Sequence, residues 1–101
     1  MTIYNKLLLK YGVIIMIVRD VMVKCSTGLH ARPATLFIKK ASSFKSDVSV
    51  EFNGKKANAK SLISILSLGV TRNSLIKIIT SGNDEQLASE ELVKLIESLE
   101  D

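Results

Sequence analysis

A single histidine, His30, lies in a segment whose composition suits the binding of an anion. Gly28 comes two residues before it, Arg32 two residues after it, and Pro33 follows. Because proline is tolerated in the first turn of a helix, where its missing N–H would have no partner, a helix is predicted to begin just before Pro33. The unpaired amides and the positive end of the dipole at that helix start favour a negative charge beside His30.

Arg32 strengthens this interpretation, because a guanidinium offers several donors in a planar fork that fits phosphate oxygens. A phosphoryl group carried by the His30 ring would lie between the helix start and Arg32. A surface histidine without a chemical role is the alternative, and the neighbouring sequence provides no carboxylate to orient the ring for a hydrolytic triad. These residues alone indicate an anion site, with covalent phosphate as one form of it.

The chain is one small domain of 101 residues, of which 47% are apolar. Such a domain fills one core and has room for a shallow surface site, which favours a carrier, binder or regulator over a complex enzyme. The lone Cys25 excludes an intramolecular disulfide and suits a reducing cytoplasm. One histidine and one cysteine cannot form the usual zinc site, so neither a metal nor another cofactor is predicted.

The net charge of +4 is divided unevenly along the sequence. Seven acidic residues and a single basic one, Lys94, lie from Asp84 onward, and the preceding part is basic. A basic surface that meets acidic proteins or phosphate is one interpretation, and an ordinary solvated surface is the other. Nucleic acid is not a predicted partner, because aromatic residues are only 5%, tryptophan is absent and no block of lysine and arginine occurs.

Residues 1–15 are mostly apolar, but they fit neither a signal peptide nor a membrane span. Lys10 interrupts the apolar run and no small-residue cleavage site follows. The uninterrupted run is also shorter than the roughly 18–20 residues that a spanning helix needs, so no membrane insertion is predicted. The segment is interpreted as an N-terminal extension, ordered or flexible, or as a misassigned start before Met16. The domain proper is residues 16–101.

Hydrophobic periodicity predicts four strands and three helices in the order βαββαβα. The strands are predicted at residues 17–23, 47–52, 55–57 and 76–80, and the helices at residues 31–43, at residues 61–68 and after Asn83. Asn53 and Gly54 form a favoured hairpin turn, Gly69 is predicted to end the second helix, and Asn83 with Gln86 predicts a capping box. Helices gathered on one face of an antiparallel sheet make an α+β open-faced sandwich.

Two motifs carry a resemblance to a known family. Residues 28–34 are GLHARPA, and residues 60–69 are KSLISILSLG. The first closely resembles the active-site signature of HPr, the histidine-containing phosphocarrier family of the bacterial sugar phosphotransferase system, and the second is similar to that family's regulatory-serine segment. The similarity extends over roughly residues 16–101. It implies the HPr-like open-faced β-sandwich, with a four-stranded antiparallel sheet and three helices on one face.

The resemblance implies that His30 accepts a phosphoryl group on the ring nitrogen nearest the backbone. The implied donor is enzyme I, charged by phosphoenolpyruvate, and the implied recipients are IIA domains of sugar permeases. Arg32 matches the motif's arginine and would position the phosphoryl group, with the backbone of Ala31 and Arg32 as a cradle. The chain would then be a cytoplasmic carrier in sugar transport rather than an enzyme, with a monomer as the simplest expectation.

Ser61 precedes the short helix, where a serine hydroxyl can cap the first turn. The resemblance adds phosphorylation of Ser61 by HPr kinase/phosphorylase in carbon catabolite repression. It also leaves an alternative function open, that of a mainly regulatory protein that acts as a co-repressor and binds a catabolite-control transcription factor through phospho-Ser61. A nitrogen-related branch of the family is a further alternative, and the serine segment argues against it.

A docking patch is predicted on the short helix, because a short helix that is apolar on two sides cannot bury both in a small core. The patch consists of Leu62, Ile63 and Leu66. Burial of the whole segment is the alternative. A basic rim is predicted from three lysines, Lys39, Lys40 and Lys60. Ser64 stands where the family commonly has glycine and Ile63 where methionine is frequent, and both differences bear on partner preference.

Overall fold

The computed structural model describes the backbone of residues 2–9 and 12–99 and the side chains of residues 16–99. The strands are β1 (Thr2–Leu9), β2 (Gly12–Val23), β3 (Asp47–Phe52), β4 (Lys55–Asn58) and β5 (Ser74–Ser81). The helices are α1 (Ala31–Ser42), α2 (Leu62–Ser67) and α3 (Glu85–Ser98). Within the described ranges, no helix has the length and apolar composition needed to cross a membrane.

The strands form one antiparallel sheet in the order β1-β2-β5-β3-β4. The predicted α+β open-faced sandwich is confirmed in β2 to β5 and the three helices. The structure adds β1, which pairs with β2 over its whole length at one edge of the sheet. Part of the predicted N-terminal extension is therefore a strand. Met1, Lys10, Tyr11 and the last two residues of the acidic tail lie outside the described residues.

The sheet is apolar on the face that meets the helices. Val21 lies opposite Ile76, and Ile78 lies opposite Val50, and all four side chains are buried. The intervening position of β5, Lys77, is exposed on the other face. Because side chains alternate between the two faces along β5, the buried residues all lie on the face that carries the helices, and the core forms on that side of the sheet.

The helices close this core with residues at helical spacing. Phe37, at the centre of α1, is fully buried, as are Leu92 and Ile96 of α3 and Ile65 of α2. The buried residues of α3 thus form the face that packs on the sheet. Since α1 is held along its length by this face, its first residue has a fixed position.

Two predicted turns agree with the backbone. Asn53 and Gly54 both have positive φ, 52° and 76°, as the two-residue turn between β3 and β4 requires. Gly69, with φ 68°, follows α2 and ends it. Both features depend on residues adjacent in sequence, which is why local reasoning found them.

The predicted start of the last helix was wrong. Its N-cap is Asp84 rather than Asn83, and the Asp84 side chain makes no capping hydrogen bond. The Asp84 carboxylate instead accepts hydrogen bonds from the amides of Lys45 and Ser46, each at 2.9 Å, and from the Ser46 hydroxyl. These bonds, the one from the hydroxyl foremost, lower the pKa of Asp84 to about 2. A partner remote in sequence has therefore displaced the local cap.

Candidate functional site

A tight turn precedes His30. The Gly28 amide donates to the Cys25 carbonyl at 2.9 Å, and the Cys25 thiol donates to the Gly28 carbonyl at 3.2 Å. Cys25 is only 3% exposed, so its thiol packs beneath the turn. The cysteine therefore helps to shape the loop that leads to His30.

Gly28 fixes this loop against the segment that follows α2. Its φ is 66°, in the left-handed region that favours glycine. A Cβ at this position would lie 2.1 Å from the Val70 carbonyl oxygen, and the Leu29 amide donates to that same oxygen at 3.1 Å. Leu29 is buried. The backbone on which His30 stands is thus held on both sides, and glycine alone fits at residue 28.

His30 is the N-cap residue of α1. Its backbone is extended, with φ −85° and ψ −173°, and its carbonyl accepts a hydrogen bond from the Ala34 amide at 2.8 Å. The side chain is exposed and makes no capping hydrogen bond. No acidic residue lies in the first turn of the helix. The imidazole is therefore presented to solvent beside the positive end of a helix.

Two amides at this helix start remain for an anion. Pro33 has no N–H, and the Ala34 amide is bonded to the His30 carbonyl. The amides of Ala31 and Arg32 are left, and among the described residues neither has a partner. They are the two amides that the sequence predicted as a phosphate cradle.

An open cleft of about 660 Å³ brings the predicted residues together. His30, Ala31 and Arg32 line it, with the side chain of Arg32 exposed to solvent. An imidazole, a guanidinium and a helix N-terminus thus share one cavity. This combination can hold a group with two or more negative oxygens against a ring nitrogen.

Sequence reasoning missed two leucines that form the apolar wall of the cleft, Leu36 and Leu99. Leu36 follows Arg32 by four residues and is 44% exposed, so helical spacing could have placed it on the same face. Leu99 follows α3, and no local pattern links it to His30. An apolar wall beside a charged group is suited to contact with a protein partner.

Ser61 is the N-cap residue of α2, as predicted. Its hydroxyl accepts a hydrogen bond from the Ser64 amide at 3.4 Å, and its carbonyl accepts one from the Ile65 amide at 3.1 Å. The side chain is half-buried. Ser61 does not line the cleft of His30, so the structure has two separate candidate sites.

The predicted docking patch is exposed in part. Ile63 is 77% exposed and Leu62 is 39% exposed. Leu66 is partly buried and packs against the core. The opposite side is buried, with Ile65 in α2 and Leu68 at its C-cap.

The three predicted rim lysines differ in their partners. The Lys60 ammonium donates to the Phe44 carbonyl at 2.9 Å, just beyond the end of α1. The Lys40 ammonium lies 3.5 Å from a carboxylate oxygen of Glu91. Lys39 is exposed in the last turn of α1. Two of the three lysines therefore already have a partner within the domain.

Comparisons with known proteins cover most of this domain. The sequence pattern of one family, described as "PTS HPr component phosphorylation site", matches residues 17–98. The "HPr-like protein Crh" of Halalkalibacterium halodurans is 49% identical over 82 residues, which are 81% of this chain and 98% of that protein. The "Phosphocarrier protein HPr" of Buchnera aphidicola is 46% identical over 81 residues, which are 80% of this chain and 95% of that protein.

Solved structures of HPr from Thermoanaerobacter tengcongensis have the same fold. The form called HPr-C-His has a TM-score of 0.78 and 48% identity, covering 80% of this chain and 91% of its own. A second structure, described as an HPr dimer, has a TM-score of 0.66 and 50% identity, and the match covers 77% of this chain and 90% of that chain. With a family pattern over residues 17–98 and curated relatives identical at nearly half of the aligned positions, this chain belongs to the HPr family of phosphocarrier proteins.

Proposed function

We propose that the chain accepts a phosphoryl group on His30 from phosphorylated enzyme I and transfers it to IIA domains of sugar permeases. The observation that carries this proposal is the exposed imidazole at the N-cap of α1, in one cleft with Arg32. Membership of a family of phosphocarrier proteins supports it. The place of action that we propose is the cytoplasm, where enzyme I and the IIA domains meet the carrier.

The proposed chemistry is a reversible phosphoryl transfer. The neutral ring nitrogen of His30 nearest the backbone attacks the phosphorus of phospho-enzyme I, so a nitrogen–phosphorus bond forms as the bond to the donor breaks. The amides of Ala31 and Arg32 and the Arg32 guanidinium compensate the charge on the phosphoryl oxygens. Attack by a IIA residue reverses the roles and releases His30. Each step exchanges one bond to phosphorus for another, so no ATP is required.

A second proposed function is regulatory and rests on Ser61. Phosphorylation of its hydroxyl by HPr kinase/phosphorylase, at the expense of ATP, would add a dianion next to the exposed Leu62 and Ile63. We propose that these side chains, with the exposed edge of Leu66, form a docking patch for enzyme I, IIA domains and the kinase. The similarity to an HPr-like Crh favours a further role as a catabolite co-repressor that binds a transcription factor through phospho-Ser61.

The experiment for the carrier function is transfer of a radiolabel. The chain is incubated with enzyme I and labelled phosphoenolpyruvate, and an acid-labile label is expected on the wild type and on Ser61→Ala but not on His30→Ala. Addition of a IIA domain is expected to remove the label from the chain. A folded wild-type chain that takes up no label would contradict the carrier function.

The experiment for the regulatory function uses ATP and HPr kinase/phosphorylase. An acid-stable label is expected on the wild type and on His30→Ala but not on Ser61→Ala, which makes the two variants matched controls for each other. Label in this reaction and none in the first would make the co-repressor role the main function. Label in neither would contradict both.

The predicted monomer stays a prediction, since one solved relative is described as a dimer.

A further inference from the structure

The cleft of His30 is lined by residues of two kinds. The His30 ring, Arg32 and the start of α1 can hold an anion, whereas Pro33, Leu36 and Leu99 are apolar. The two leucines are not used up by the core, since Leu36 is 44% exposed and Leu99 is half-buried. Two large apolar side chains therefore border the space in which a phosphoryl group on the His30 ring would lie.

The two leucines reach the cleft from different elements. Leu36 follows Arg32 by about one helical turn, so both side chains lie on the same face of α1. Leu99 is the C-cap of α3, where the backbone leaves the helix with φ −72° and ψ 116°. Its amide donates to the Ile96 carbonyl at 3.3 Å, and its side chain packs against the core. Both leucines are therefore held in place by the fold.

The cleft offers little that could activate water beside a phosphorylated His30. Among the described residues that line it, none is acidic, and its only imidazole is the one that carries the phosphoryl group. The Cys25 thiol, which also lines the cleft, donates to the Gly28 carbonyl. A carboxylate or a free imidazole within hydrogen-bond distance is the usual general base. The rate of attack by water then depends on how freely water reaches the phosphorus.

We propose that Leu36 and Leu99 shield the phosphoryl group on His30 from water and so prolong the life of the phosphorylated chain. The proposal rests on the carrier function proposed above. The reaction that the leucines slow is hydrolysis, in which the oxygen of water bonds to phosphorus and the nitrogen–phosphorus bond breaks. One proton of the water stays on the phosphate that leaves, and the other passes to the ring nitrogen. Exclusion of water from a reactive group suppresses side reactions of this kind.

Shielding is distinct from the docking of a partner on the same apolar wall. A partner protein that packs against apolar side chains displaces the remaining water itself, so the wall matters for hydrolysis only while the chain is free. A carrier spends that interval between its donor and its recipient. Loss of the wall is therefore expected to change the rate of hydrolysis when no partner is present, and this measurement separates the two roles.

The test follows the loss of label from the phosphorylated chain after enzyme I has been removed. The wild type and its variants are charged fully with enzyme I and labelled phosphoenolpyruvate, and the first-order loss of acid-labile label is measured at neutral pH. Leu36→Ala and Leu99→Ala are each expected to shorten the half-life roughly two- to fivefold, and the double variant roughly tenfold, since each opens space for water. Leu99→Met keeps the apolar volume and is expected to restore the half-life of the wild type.

Two controls separate shielding from a general change in the fold. Leu87→Ala removes an exposed leucine of α3 that does not line the cleft, and its half-life is expected to equal that of the wild type. In denaturing urea all variants are expected to lose label at one rate, because the wall exists only in the folded chain.

The outcomes distinguish the shield from the carrier function on which it rests. Equal half-lives of the folded wild type, Leu36→Ala and Leu99→Ala would overturn the shield and leave the carrier function intact. An equally large effect of Leu87→Ala, or a difference among the variants that persists in urea, would overturn the shield as well. A wild-type chain that takes up no label from enzyme I would overturn the carrier function, and the shield with it.

Discussion

Two helix starts in this molecule differ in how they use their first side chain. His30 precedes α1 and Ser61 precedes α2, and both residues have extended backbone at the N-cap. The Ser61 hydroxyl accepts a hydrogen bond from the Ser64 amide, whereas the His30 side chain caps nothing. The serine is engaged in holding its helix, and the imidazole is available for chemistry.

Helix length explains why one start can be left uncapped. α1 has twelve residues and is held by buried side chains such as Phe37 and Ala41. α2 has six residues, of which only Ile65 is buried. A helix of six residues is marginal without a cap, because few hydrogen bonds offset the cost of its first turn. Tertiary packing thus frees the N-cap of α1 for a functional residue, and α2 has no such freedom.

The largest expected effect concerns the loop that leads to His30. Gly28→Ala is expected to lower the free energy of unfolding by ~3 kcal/mol, because the new Cβ is strained at positive φ and also meets the Val70 carbonyl. Gly69→Ala is the matched control, since Gly69 has nearly the same φ and no atom within 4 Å of the added Cβ. Strain alone predicts a loss of ~1 kcal/mol there. Urea denaturation measures both losses. Equal losses of unfolding free energy in the two variants would contradict the close contact of Gly28 with the Val70 carbonyl.

The next effect concerns the charge beside His30. Arg32→Ala is expected to slow phosphoryl transfer from enzyme I by roughly ten- to a hundredfold, since a hydrogen bond to a charged group is worth ~1.5–3 kcal/mol. Arg72→Ala removes an exposed arginine that does not line the cleft, and its transfer rate is expected to match the wild type. Rapid-quench labelling measures both rates. Equal rates in the two variants would show that Arg32 has no specific part in the transfer.

The two N-caps themselves give the third prediction. Ser61→Ala is expected to lower the free energy of unfolding by ~1 kcal/mol, since it removes the hydroxyl that caps α2. His30→Ala is expected to change it by less than ~0.3 kcal/mol, because no cap is lost. Ser61→Asp is the rescue variant, since aspartate caps as well as serine does. Chemical denaturation of the three variants decides the matter, and a larger loss in His30→Ala than in Ser61→Ala would reverse the comparison.

The fold could be predicted where its cause is local. The turn at Asn53 and Gly54 and the end of α2 at Gly69 follow from residues that must adopt positive φ. The pairing of β1 with β2 could not be predicted, because residues 1–15 carry no clear period and the choice of a partner strand is made in three dimensions. The prediction of the α3 cap was wrong for the same reason, since the partners of Asp84 lie in the turn before β3 and are remote in sequence.

The candidate site was predictable to the extent that it lies within one segment. His30, Ala31 and Arg32 are consecutive, and a helix start brings them into one cleft. Leu99 reaches that cleft from the end of α3, a contact that only the packing of α3 on the sheet creates. The exposure of Leu62 and Ile63 on α2 was predicted from the sequence. Leu66 differs because it packs against the core.

The start of the third helix, α3, gives the prediction with the smallest expected effect. Asp84 lies at the N-cap of α3, but its carboxylate accepts hydrogen bonds from the amides of Lys45 and Ser46 and caps no amide of its own helix. Because these bonds hold the pKa of Asp84 at about 2, below its usual 3.8, the ionised carboxylate stabilises the folded chain above about pH 4. That contribution is lost as the pH falls through about 2, when the carboxyl group becomes protonated in the folded chain as well.

Asp84→Asn is therefore expected to lower the melting temperature at neutral pH, with a difference from the wild type that shrinks between about pH 4 and pH 2. Asp47→Asn, at an exposed end of β3, corrects for the general effect of removing one carboxylate. Thermal melts of the three proteins at several pH values make the comparison. A pH-independent difference for Asp84→Asn would mean that its side chain acts through packing, and that α3 is held by its buried face alone, as α1 is.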